Sequence, residues 1–234
     1  MNIIDIVLLT LLFVSIAFGV YRGAVSSLLG LAASVLAFPL AFWLSPMLTA
    51  YLGSNAGIME LLATYTDANT LVGNYSLATT TVVGMSESSL QAVINSLNLP
   101  QSILGILRSN MQQNVFAASG LVTVNDYVAY TIIVVALQAV CFVVTYLSVN
   151  AAMHFFITMV DKVFSFPVLK HFDGVVGGAF GVLRGMLILY VLFLLLPVVQ
   201  TIIPQNLIAG FFEGSTLSSV FSSNGFFIRV VTGR

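Results

Sequence analysis

From Tyr127 to Val149 the chain carries no charged side chain. A helix over that stretch reaches the roughly 20 apolar residues needed to cross a hydrocarbon core. In water it would need cover from other protein on every side, and the composition cannot supply that cover. Of the 234 residues, 59% are hydrophobic and 6% charged, against about 25% charged in an average soluble domain. Lipid can solvate such a surface, provided each backbone polar group is bonded within its own segment, as in a helix. The sequence therefore predicts an all-α integral membrane protein whose first partner is the lipid bilayer. A net charge of −1 without a basic cluster excludes a nucleic-acid partner, because that affinity rests on several Lys or Arg neutralising phosphates. The single cysteine, Cys141, excludes an intramolecular disulfide and reads as a small packing residue.

Four apolar runs organise the chain. Residues 1–44 read as a first transmembrane hairpin, with spans at about 3–20 and 24–44 around the turn Gly19-Val20-Tyr21-Arg22-Gly23. Trp43 stands where an interfacial aromatic belongs. The opening Met1-Asn2 lacks the basic residues of a secretory signal, so the first run is expected to be retained. Residues 45–126 are rich in Ser, Thr and Asn and read as a loop with two short amphipathic helices. In one, Ser86 caps a helix to about Asn98 with Leu90, Val93, Ile94 and Leu97 on a stripe. The other starts at Pro100 and carries Ile103, Leu104, Leu107 and Met111. Their apolar faces can rest on the membrane interface, on the bundle or on each other.

Residues 127–199 read as a second hairpin, with spans at about 127–149 and 174–199 and an inner loop over 150–173. Thr123, Asn125 and Asp126 suit the cap of its first helix. The mixed stretch from Asn150 to Val163 reads as a helix leaving the core, and Pro167 as the turn that ends it. Residues 200–234, rich in Phe, read as an interfacial tail. Arg22 lies in one hairpin turn and Lys162 and Lys170 in the other, whereas Arg108, Arg229 and Arg234 lie farther from the spans. The distribution of basic residues then places both turns in the cytoplasm and the termini and the long loop outside.

Small residues recurring three and four apart mark helix faces that pack closely in a membrane. One such face carries Gly23, Ser27, Gly30, Ser34, Ala37 and Ala41; another carries Gly174, Gly177, Gly178, Gly181 and Gly185. Both are expected to build the bundle core or a seam with a second copy or another membrane protein. Arg184 falls inside the fourth run, where an unpaired Arg costs several kcal/mol unless it snorkels or finds a partner. A network of Arg22, Asp173 and Arg184 tying the two hairpins together is the expected solution, with Asp5 an end marker of the first span. No Ser–His–Asp, zinc-protease or phosphate-loop signature occurs. His154 and His171 read as headgroup-level or turn residues, and no catalytic residue, cofactor or metal site is predicted.

Two blocks carry a family resemblance. Ile4-Asp5 with Gly19-Val20-Tyr21-Arg22-Gly23, and Phe166 to Gly185 with its Pro167, Asp173, Gly177, Gly181, Arg184 and Gly185, resemble the colicin V production (CvpA) family of bacterial inner-membrane proteins. The resemblance covers roughly residues 1–45 and 125–200. The long outer loop is similar to the Gram-positive variants rather than the short forms. The resemblance implies a multi-pass protein of the bacterial cytoplasmic membrane linked to toxin production or export and to envelope maintenance, with no agreed molecular activity and no established catalytic residues. Two further functions fit the residues: a small-solute or proton-linked transporter built around Arg184, and a membrane anchor whose outer loop binds an extracytoplasmic partner.

Overall fold

The computed structural model describes residues 3–64, 72, 74–97, 99–163 and 173–195; the side chains of residues 3–4 and 160–163 lie outside that description. Among these residues the secondary structure is helical, with one isolated antiparallel bridge between Thr81 and Thr123. The helices are α1 (Ile3–Gly53), α2 (Ala56–Thr64), α3 (Tyr75–Ala78), α4 (Glu87–Ser96), α5 (Gln101–Gln112), α6 (Val124–Val163) and α7 (Asp173–Leu192). Three stretches are long and apolar enough to cross a membrane: Asp5–Gly53, Val124–Met159 and Asp173–Leu195. The turn expected at Pro167 and the tail expected over 200–234 lie outside the described residues, as do Lys170 and His171.

The spans expected at about 3–20 and 24–44 both fall in α1. That element is broken at Gly23, whose φ of 81° and ψ of 176° belong to a region that only glycine occupies readily. Residues eight apart in a straight helix are separated by about 12 Å of rise. Here the Ser27 hydroxyl donates to the Gly19 carbonyl at 3.0 Å, so the chain folds sharply at the break. α6 continues to Val163 without interruption, so the span expected to end at 149 and the helix expected over 150–163 are one element. Nothing between Asn150 and Val163 breaks a helix, since neither Pro nor Gly occurs there.

The contacts divide the chain into two compact units. In the first, α1 up to Leu48 packs with α6 from Cys141 and with α7. Leu12, Ser15 and Gly19 of α1 meet Gly185, Gly181 and Gly177 of α7 in antiparallel order. Beyond the break, Ser34 and Phe38 meet Asn150, Tyr146 and Phe142 of α6, again antiparallel. The opposite faces are apolar and uncovered: Phe13 and Trp43 keep 69% and 71% of their surface exposed. Side chains of that kind in such number require an apolar surrounding phase.

The second unit includes α2 to α5 and the start of α6. The Ser86 hydroxyl accepts the Ser89 amide and caps α4, and Pro100 opens α5. Leu90, Val93 and Ile94 of α4 join Ile103, Leu104, Leu107 and Met111 of α5 in one core with Tyr127 and Val128 of α6. The two amphipathic helices thus bury their faces on each other and on α6. At the start of α6, the Thr123 hydroxyl accepts the Asp126 amide while the Asp126 carboxylate accepts the Thr123 amide, a reciprocal cap. On the surface Arg108 pairs with Glu87. That hydrogen bond first, and the one from Gln112 second, hold the Glu87 carboxyl below its usual range.

Candidate functional site: a glycine seam beside a polar cluster

The seam between α1 and α7 is set by backbone, not by side chains. A Cβ on Gly177 would collide with the Gly19 carbonyl oxygen and stand 2.8 Å from the carbonyl carbon of Gly23; on Gly181 it would stand 2.7 Å from the Ser15 carbonyl oxygen. Gly185 faces Leu12 and Ser15 at 3.0 Å. The Ser15 hydroxyl, itself buried, donates to the Gly181 carbonyl at 2.7 Å. Packing attraction falls steeply with distance and the lipid tails outside are as apolar as Leu, so close approach of this kind is what holds membrane helices together.

Asp173 stands where the break in α1 meets the start of α7. Its carboxylate accepts the Ala24 amide at 2.6 Å and occupies the space a Gly23 side chain would need. The break frees the first N–H groups of the helix that restarts at Ala24, and such groups need acceptors. Asp173 is also in the first turn of α7, so one negative charge lies at the positive ends of two helix segments. The expected network of Arg22, Asp173 and Arg184 is therefore not the one observed: among the described residues no ion pair joins Asp173 to either arginine. A backbone amide takes the carboxylate because Gly23 presents that amide directly to it.

Arg22 instead donates to the Thr158 hydroxyl at 3.5 Å, and that hydroxyl donates to the His154 carbonyl at 2.8 Å. Arg184 reaches the helix that follows the break. The point where a Gly30 Cβ would stand is 2.9 Å from His154 Cε1 and 3.4 Å from an Arg184 terminal nitrogen. Gly30 thus makes room for an imidazole and a guanidinium at once. One turn along each helix, the Asn150 amide donates to the Ser34 hydroxyl at 3.0 Å and to the Tyr146 hydroxyl at 3.3 Å, and Ser34 and Tyr146 are fully buried. Both ring nitrogens of His154, and Nε of Arg184, are buried without a hydrogen-bond partner among the described residues. Asp5 is buried, 5% exposed, near the N-terminus of α1. Ala37 is fully buried on the face that carries Gly30 and Ser34.

Tyr146, Asn150, His154 and Thr158 of α6 recur every four residues, which lays them along one helix stripe. That spacing was visible in the sequence. It passes unnoticed when the span is ended at Val149, which separates Tyr146 from the other three.

The family model of the colicin V production protein matches residues 4–108 and 114–229. The chain belongs to that family. The match takes in most of the 45–126 segment and much of the tail, well beyond the two blocks that carry the resemblance, so neither region stands apart from the family pattern. Comparison with curated proteins and with solved structures gives no match. Asp5, Gly19, Gly23, Asp173, Arg184 and the seam glycines all lie within the matched residues.

Proposed function

We propose that this colicin V production family member is a non-enzymatic, four-span scaffold of the bacterial cytoplasmic membrane, serving toxin production or export and envelope maintenance as the family resemblance implies. The observation that carries this reading is the α1–α7 seam, in which Gly19, Gly177 and Gly181 leave no room for a single added carbon. A contact so close suits a component that holds a fixed shape for others to assemble on. The fold at Gly23 supports the span count. Each side of the break is long enough, at 1.5 Å per residue, to cross about 30 Å of hydrocarbon. The basic residues near the turns favour cytoplasmic turns, with the termini and the 45–126 segment outside. Other membrane proteins or a second copy are the partners such a scaffold requires.

A second reading, transport of a small solute or proton, is favoured by the two ring nitrogens of His154 and Nε of Arg184, which are buried without a hydrogen-bond partner among the described residues. Thiol labelling separates the two. In a Cys141→Ala background, Arg184→Cys is expected to resist membrane-impermeant reagents from either side while the protein stays folded. Labelling from one side or both would mean a hydrated cavity and would replace the scaffold with the transporter.

A further inference from the structure

Arg184 keeps its charge at any physiological pH, and a charge withdrawn from water needs a counter-charge or costs several kcal/mol. About 16 Å of helical rise separates it from the start of α7. The two acidic side chains described in this unit do not provide the counter-charge. Asp173 accepts the Ala24 amide. Asp5 lies seven residues beyond Leu12, the α1 residue that meets Gly185, which is about 10 Å farther along the helix. Among the described residues, what lies beside Arg184 is instead a set of donors. His154 meets the same point over Gly30 with both ring nitrogens unpartnered. Arg22 joins from the Thr158 side. Among the described residues no three His, Cys, Asp or Glu side chains come together, so the cluster is unsuited to hold a cation.

We infer that Arg184 and His154, with Arg22 beside them, form a binding site for a phosphate-type oxyanion. A guanidinium presents its N–H groups as a planar fork that matches two oxygens of such an anion. An imidazole N–H adds a donor, and a second guanidinium offsets further negative charge. Gly30 is required because any side chain there would fill the space between His154 and Arg184. The same chemistry is offered by free phosphate and by the phosphodiester of a lipid headgroup. A retained headgroup agrees with the protected position that the scaffold reading expects at 184, whereas exchange of free phosphate needs water at Arg184 and goes with the transporter, so failure of the inference and failure of the scaffold reading are told apart.

The test uses the full-length protein in neutral detergent, with equilibrium binding of radiolabelled inorganic phosphate. In parallel, the protein is reconstituted in phosphatidylcholine vesicles with and without phosphatidylglycerol, and retained lipid is read by native mass spectrometry. One bound phosphate or one retained phosphatidylglycerol per chain is expected. Arg184→Gln should weaken it by about tenfold or more, as loss of a charge-assisted bond does. Arg184→Lys, which keeps the charge without the fork, and His154→Gln should each weaken it less. Arg108→Gln, in the other unit, should leave it unchanged. Phosphate bound without lipid retention identifies a free anion as the ligand, and phosphatidylglycerol retained without phosphate binding identifies a headgroup. Wild-type protein that binds neither overturns the inference. So does binding that Arg184→Lys and His154→Gln leave unaltered, and those two variants decide the matter if Arg184→Gln does not fold.

Discussion

Asp173 sits at the N-termini of two helix segments, its own and the one that restarts at Ala24, and the residue between the arms of α1 is Gly23 at φ 81°. The two residues depend on each other. Gly23 leaves room for the carboxylate, and the carboxylate satisfies the amide that the break at Gly23 releases. Asp173→Ala should lower stability by about 0.5–2 kcal/mol, the usual cost of losing a cap, and Asp173→Asn by less, since an acceptor oxygen remains. Gly23→Ala should cost about 1–3 kcal/mol from backbone strain, with the collision against Asp173 added. Thermal unfolding in detergent reads all three, and an Asp173→Ala melt identical to wild type would remove the cap from this account. Gly23 and Asp173 were both legible as important residues, because they punctuate apolar runs. Their pairing was not. A sequence shows that a buried Arg wants an acid, but not that the Ala24 amide takes the Asp173 carboxylate.

At the scale of elements, the glycines of α7 and the lone glycine of α5 answer different needs. Gly181 faces the Ser15 carbonyl so closely that a Cβ would stand 2.7 Å from its oxygen, whereas a Cβ on Gly105 meets nothing within 4 Å. The same substitution should therefore act with opposite sign. Gly181→Ala must push α1 and α7 apart and should destabilise by about 1–3 kcal/mol, as overpacking does. Gly105→Ala gains helix propensity in an open position and should stabilise by about 0.5–1 kcal/mol. Paired thermal melts decide, and a loss of stability in both would mean that propensity and space are not the governing terms. The short helices α4 and α5 could be read in advance because Ser86 and Pro100 are local start signals and the apolar stripes have a helical period. The polar stripe of α6 could not be read the same way. Hydropathy marks where an apolar run ends, and a helix need not end there; α6 runs on from Val149 through His154 with its polar side chains turned onto α1.

For the whole molecule, the number of crossings turns on the break in α1. If α1 crossed once, its 49-residue apolar stretch would be far longer than the roughly 20 residues that a crossing uses, and Tyr21 would lie at membrane depth. If the fold at Gly23 returns the chain, Tyr21 lies at a turn, which agrees with its 89% exposure and with the neighbouring Arg22. Hydropathy alone makes the first run and the second run equally apolar and cannot weigh these geometries. The Ser27–Gly19 hydrogen bond shows a chain bent sharply at the break, which a returning chain requires. In a Cys141→Ala background, Tyr21→Cys should therefore react with impermeant thiol reagents only after the inner face is opened. Ala118→Cys, exposed in the 45–126 segment, should react in intact cells. Protection of Tyr21→Cys from both sides would make α1 a single buried element and reduce the count to three. Reaction of both positions from the same side would instead show that the segment between them crosses twice or not at all. The four-span reading requires opposite sides, and with them a cytoplasmic level for the Gly23–Asp173 junction from which the polar stripe of α6 leads inward to Arg184.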